Sequence, residues 1–388
     1  MNPPPAAPGD PAAAPSPTLG RDDIAAAVAA GLLSEAQAAS LLALAERRSG
    51  YRDRMGPEDE PFELFRGLNE IFVATGLALL LAGLSGTGFV ALPEPAMALG
   101  LTAAAAWALA EYFTRIRRMV LPSLLLATAF VLGTTVAAAL LVVPSADPSA
   151  LAFEAATPLW QVSAAGAAAA LAFYVRFRLP FALFLTGVAA IPAVFVATGA
   201  VRGVFDLALV WSDPARAFDL AGSARLALTT LGFGLTAFAL AMAFDMTDPH
   251  RVSRRHRAGF WLHLLAAPAI VNTLALTLWR DGSPGALALL ALALASFVTV
   301  ALAIDRRSLL LAAAAYLGLL LGLAADRTAL AFGPFASLLL LGAGLTALGA
   351  GWTAGRGRLM RALPEFPGKA YLPPYAGRQA IRRNSEVP

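Results

Sequence analysis

The sequence predicts an all-α fold, a polytopic transmembrane helix bundle of about ten spans preceded by a small cytoplasmic helical hairpin. Three observations carry this reading. The 388 residues are 58% hydrophobic and 14% charged, with a mean hydropathy of +0.68, whereas soluble chains are roughly 45–50% apolar and about 25% charged. Apolar segments approaching the twenty or so residues that cross ~30 Å of hydrocarbon follow one another from residue 71 to residue 352. Arginine is concentrated in alternate loops, as expected where alternate loops face the cytoplasm.

The chain opens on a Pro/Ala-rich stretch, residues 1–19, with almost no charge. It lacks the basic start and apolar core of a signal peptide, and it holds too little apolar surface to offset the entropy of ordering. Residues 20–49 read as a two-helix hairpin. Arg21-Asp22-Asp23 opens the first helix, Ile24 and Val28 share a face, and Gly31 sits where a helix-terminating glycine belongs. Ser34 with Gln37 forms a capping box for the second helix, and Leu33 precedes the cap as a hydrophobic staple. About thirty residues bury too little to stand as a self-sufficient core, so the pair is expected to pack on the bundle or on a partner. A DNA-reading helix-turn-helix is disfavoured, because the second helix presents Ala, Ser and Leu in place of base-reading Arg, Asn or Gln.

Residues 50–70 read as a linker and an amphipathic juxtamembrane helix that runs on into the first span. Pro61 suits a first helical turn, and Asp59, Glu60 and Glu63 complement the positive end of the helix dipole. Glu63, Arg66 and Glu70 fall on one stripe, with Asn69 beside Glu70 in the chain; Leu64, Phe65, Leu68 and Phe72 take the opposite side. The charged stripe is expected to face water, headgroups or the hairpin.

The spans themselves, forming the bundle 71–352, are expected near 71–92, 95–113, 119–143, 157–175, 180–200, 223–244, 258–280, 284–304, 308–325 and 329–352. Turn chemistry separates them, as at Pro93-Glu94-Pro95, Asp248-Pro249 and Asp281-Gly282-Ser283-Pro284. Eleven arginines follow even-numbered spans and five follow odd-numbered ones; this places both termini in the cytoplasm and fits an even number of spans. Residues 201–222 form the longest external loop, read as an interfacial helix anchored by Trp211 or as a lid. Residues 353–388 read as a basic, Pro-rich cytoplasmic tail, its arginines at the anionic headgroups and Pro373-Pro374-Tyr375 extended on the surface.

Two stretches, AVAAGLLSEAQAASLLALAERR (Ala27 to Arg48) and EDEPFELFRGLNEIF (Glu58 to Phe72), precede the run of spans. Together they resemble the bacterial predicted membrane proteins grouped as "domain of unknown function 2157", over roughly residues 20–115. The resemblance implies a multi-pass protein of the bacterial inner membrane with a cytoplasmic helix pair. It implies no activity and transfers no functional residue.

Chemistry-bearing residues are sparse. The absence of cysteine excludes disulfides, thiol nucleophiles and cysteine-ligated metal. No phosphate-binding glycine loop, H-E-x-x-H or dinucleotide fingerprint is present, so no cofactor, metal or enzymatic activity is expected. The net charge of +4 and pI near 9.8 reflect membrane-facing arginines, and nucleic acid is not an expected partner. Ionisable residues in spans are costly and usually functional, which singles out a few polar positions. Glu111, one turn from the end of the second span, is expected to pair with Arg115. Asp245, at the end of the sixth, is expected to be solvated. His263 and Asn272 lie in the seventh on opposite sides, with Pro268 between them; His263 is expected to reach the headgroups, and Gln161 completes the set. Gly83-Leu84-Ser85-Gly86 is similar to the serine motif of rhomboid proteases, but Ser85 and His263 fall near opposite ends of their spans, on the order of 20 Å apart. The sequence points first to a membrane-anchored scaffold or sensor, whose residues 20–60 dock a cytoplasmic protein, second to a secondary transporter of a small neutral or lipid-like compound, and last to an intramembrane enzyme. A polar cavity near Asn272 and Gln161 would favour the transporter.

Overall fold

A computed structural model describes residues 21–48, 67–142, 156–251, 255–308, 310, 313, 314, 316–318, 320, 321 and 333–375. These residues form helices and connecting turns, with no strand among them. They divide into two compact units, one holding the N-terminal hairpin and the short turn at residues 250–251, the other holding the remainder.

The hairpin follows its local signals. Helix α1 (Arg21–Ala29) stops at Gly31, whose φ of 74° is open to a residue without Cβ. Helix α2 (Glu35–Arg48) starts with the reciprocal cap: Gln37 N–H donates to Ser34 Oγ at 3.2 Å, and Ser34 N–H donates to Gln37 Oε1 at 3.0 Å. Ile24, Ala38 and Ala39 are buried, flanked by Val28, Leu33 and Leu42. Leu32 (78% exposed) and Leu44 stay outside this small core.

The second unit is a succession of helices: α3 (Leu68–Ala91), α4 (Pro95–Ala110), α5 (Val120–Val142), α6 (Ala156–Phe177), α7 (Phe181–Ala197), α8 (Val204–Ser212), α9 (Ala224–Met246), α10 (Arg255–Asp281), α11 (Pro284–Ile304), α12 (Gly333–Ala350) and α13 (Trp352–Ala362). The described residues between 308 and 321 are also helical. Among the described residues seven helices are long and apolar enough to cross a membrane, or eight when α12 and α13, bent by 73° at Gly351, count as one span. Leu79, Val90, Leu141, Leu240 and Leu292 are exposed on them, the outward apolar surface that hydrocarbon would cover.

Packing joins successive helices into hairpins, most extensively α4 with α5, α6 with α7, and α9 with α10. Arg118, Arg178, Arg251 and Asp305, which follow α4, α6, α9 and α11, all hold positive φ, between 52° and 58°. Non-glycine residues seldom take this conformation, and here each one turns the chain after a long apolar helix. Trp107, Phe130, Phe173 and Phe177 cluster between α4, α5 and α6, with Trp107 and Phe173 edge to face at 5.9 Å. Helix α7, only 17 residues long, is tied in by Ser163. The Ser163 hydroxyl accepts from Ala193 N–H at 3.0 Å and donates to Ala189 O at 2.5 Å. It thus inserts into the i→i−4 ladder beside Pro192.

Three expectations change. The helix expected to run unbroken from Asp59 into the first span is interrupted at Gly67, whose φ of 129° is non-helical, so α3 begins at Leu68; residues 59–66 lie outside the described residues. The segment beyond residue 352 is not an open tail at its start, because α13 buries Trp352, Arg356 and Met360. Pro373 and Leu372 are also buried, Leu372 in the same core as Ala267, Val271 and Leu290, so Pro373-Pro374-Tyr375 is not an extended surface segment.

Candidate functional site

The site begins with one acidic residue in an apolar helix. Asp245 stands one residue from the end of α9, buried against α10. Its approach depends on Gly259, because a Cβ there would come within 2.2 Å of Asp245 Oδ1. Asp245 Oδ2 meets His263 Nε2 at 2.9 Å. Arg306, immediately beyond the turn after α11, closes the set: Nε donates to Asp245 Oδ2 at 3.0 Å and Nη2 to Oδ1 at 2.5 Å, a two-pronged fork. A carboxylate held this way only accepts, which assigns the Nε2 hydrogen to His263. Arg306 and His263 are each 1% exposed, and Phe238 covers the imidazole edge to face at 5.3 Å.

The centre extends to both sides. Arg306 Nη2 also donates to the backbone carbonyl of His256 at 2.8 Å. The His256 ring is buried, with Nδ1 3.4 Å from Asp248 Oδ2. On the other side Asp305, adjacent to Arg306 and buried, faces α13. Trp352 Nε1 donates to Asp305 Oδ1 at 2.5 Å, and Arg356 Nε lies 3.9 Å from the same oxygen. Arg356 reaches onward to Pro374 O at 2.7 Å and to Pro373 O at 2.5 Å, while Lys369 Nζ donates to Leu363 O at 2.8 Å. Arg307 lies over the Trp352 ring at 5.2 Å. The left-handed φ of 58° at Asp305 lets neighbours of opposite charge take opposite sides, each against a buried residue of the other sign.

The residues singled out from sequence are dispersed. Glu63 and Arg66 lie outside the described residues. Asn69 is exposed. Glu70 is buried rather than part of a charged outer stripe: its carboxylate accepts from Val120 N–H at 3.1 Å and Leu121 N–H at 3.2 Å, capping the N-terminus of α5. Glu111 pairs with Arg115 as expected and also with Arg176 of α6, both at 2.8 Å, on a half-exposed surface where such pairs contribute little. Gln161 is exposed on α6 and Asn272 half-buried on α10. His263 belongs to the centre but is enclosed instead of reaching headgroups. Ser85 bonds Thr102 at 2.9 Å and His263 bonds Asp245, so the two do not form a nucleophile–base pair.

Asp245 is buried and paired where solvation is expected from the sequence, and Arg306, Asp305 and Arg356 carry no signal there as site residues. Asp245 stood beside the Asp248-Pro249 turn, where solvation is the ordinary reading, and Arg306 was absorbed into the loop arginines. The signal lies in the order of the helices: the end of α9, the start of α10 and the residues after α11 meet at one place. Asp245, His263 and Arg306 stand at these three points.

The loop at residues 201–222 also resolves into structure. Helix α8 carries Trp211, 75% exposed, and a 3₁₀ turn, Pro214–Phe218, follows. Asp219 Oδ1 accepts from Gly222 and Ala221 N–H, both at 3.1 Å, and Oδ2 pairs with Arg280 at the end of α10. The Gly222 N–H, aided by Arg280, holds the Asp219 carboxyl below its ordinary value despite the opposing cost of burial. Groups of three or more potential metal-ligating His, Cys, Asp or Glu are absent among the described residues. No family model, curated protein or solved structure matches this chain.

Proposed function

We propose that the chain is a ten-span protein of the bacterial inner membrane with both termini cytoplasmic, acting as a membrane-anchored scaffold or sensor whose residues 20–60 dock a cytoplasmic protein. Nine of the ten expected spans coincide with helices α3–α7 and α9–α12, and the helical residues between 308 and 321 supply a place for the remaining one. The resemblance of residues 20–115 to the "domain of unknown function 2157" proteins belongs to the same reading.

The observation that carries the docking role is the hairpin. It has its own cap and small core, yet Leu32 and Leu44 are left exposed. Exposed leucines on a short helix pair suit a protein partner better than solvent. The ionic centre supports the anchoring role: its hydrogen bonds join α9, α10, the residues after α11 and α13 into one fastening.

The test is co-purification from the full-length protein and from a variant lacking residues 20–60. Loss of the specific cytoplasmic partner, with membrane insertion retained, is the expected result. A full set of specific partners in the deletion variant would end the docking reading. Leu32→Ser with Leu44→Ser should reproduce the loss without shortening the chain.

A further inference from the structure

At the opposite end of α9 from the ionic centre, an open groove of about 390 Å³ lies between α8, the 3₁₀ turn after it and the start of α9. Its size falls in the range of small-molecule sites, roughly 300–1,000 Å³. Val201, Leu209 and Leu226 supply apolar wall, and Asp206, Arg216 and Arg225 supply charge. The three charged residues retain capacity for a ligand. Arg216 pairs with Asp213 only at 3.6 Å, on a half-exposed surface, and that contact is weak. Arg225 spends one N–H on Gly199 O at 3.3 Å, out of the five a guanidinium carries. Asp206 Oδ2 accepts the Arg202 backbone N–H at 2.9 Å, and a carboxylate has lone pairs beyond that one.

We infer that this groove binds the headgroup of a zwitterionic aminophospholipid. Two guanidiniums match a phosphate, and the carboxylate in the same groove matches the ammonium. The leucine and valine wall accommodates the start of an acyl chain. Trp211, exposed on α8, places this edge at a membrane–water interface, where indoles concentrate. Asp206 argues against a purely anionic headgroup, because it would face a second negative charge. The inference requires a bilayer at this edge but is independent of the docking role of residues 20–60.

The test uses the full-length protein, delipidated in detergent and titrated with phosphatidylethanolamine, phosphatidylglycerol or phosphatidylcholine, with bound lipid counted by native mass spectrometry. Phosphatidylethanolamine should bind most tightly. Arg216→Gln with Arg225→Gln should weaken it about tenfold or more. Asp206→Asn should keep lipid binding while turning the preference towards phosphatidylglycerol, an outcome that a misfolded protein would not give. Equal binding of all three lipids, undiminished binding by the double variant, or no change of preference in Asp206→Asn would overturn the assignment. Free phosphoethanolamine binding as tightly as the lipid would overturn the lipid as the occupant.

Discussion

Arg306 and Asp245 show most directly what a single side chain does here. Removing one partner of a buried pair leaves the other charge uncompensated, which costs about 3–5 kcal/mol, whereas replacing both with apolar residues of similar volume is often tolerated. Arg306→Met and Asp245→Leu should each destabilise the protein by about that amount, and the double variant should recover most of it, as read by thermal unfolding in detergent. Single and double variants of equal stability would show that the pair is not coupled. Gly259→Ala should cost about 1–3 kcal/mol by forcing a methyl into the place of Asp245 Oδ1. Asp219 adds a pH dependence outside the spans. Its carboxyl is held below its unfolded value, so its contribution is complete above about pH 4 and is lost as pH falls through the folded value. Protection of the amides in residues 213–223, measured against the unfolded chain at the same pH, should therefore fall on acidification, and Asp219→Asn should remove that loss of protection. These residue-level pairings were poorly legible in the sequence. Glu111 with Arg115 is local, four residues apart on one helix, and was readable; Asp245 with Arg306 spans 61 residues and depends on which helix ends meet.

At the scale of elements, local rules worked where the signal and the structure share a few residues. The Ser34–Gln37 cap, the stop at Gly31 and the Ser283 cap of α11, which accepts from Ala286 N–H at 3.2 Å, all form as their residue types dictate. The same rules failed where an element meets a distant one. Glu70 looked like one member of a surface stripe because Glu63 and Arg66 share its spacing, but it caps α5, fifty residues on. Glu70→Gln should cost on the order of 1 kcal/mol through the weakened cap. The basic stretch after residue 352 looked like a headgroup anchor, yet Arg356 turns inward and holds the Pro373 and Pro374 carbonyls. Arg356→Gln should release that segment, seen as faster proteolysis between residues 363 and 375 with the bundle intact. Unchanged cleavage would mean that Leu372 and its apolar neighbours suffice to hold it.

For the whole molecule, composition and arginine parity made the membrane class legible, because both are averages over many residues and tolerate local error. The span count is less legible, since it turns on elements such as α7, where 17 residues rise only about 26 Å against ~30 Å of hydrocarbon. Helix α7 also decides the topology: if it crosses, seven spans separate Ser34 from Ser283; if it does not, six do. The chain contains no cysteine, so in each single-cysteine variant the introduced thiol is the chain's sole labelling site. Labelling Ser34→Cys and Ser283→Cys with a membrane-impermeant maleimide on intact cells is therefore the most direct test. The expected result is modification of Ser283→Cys from outside and of Ser34→Cys only after the membrane is opened. Labelling of both from outside, or of neither, would contradict the ten-span arrangement with its cytoplasmic hairpin.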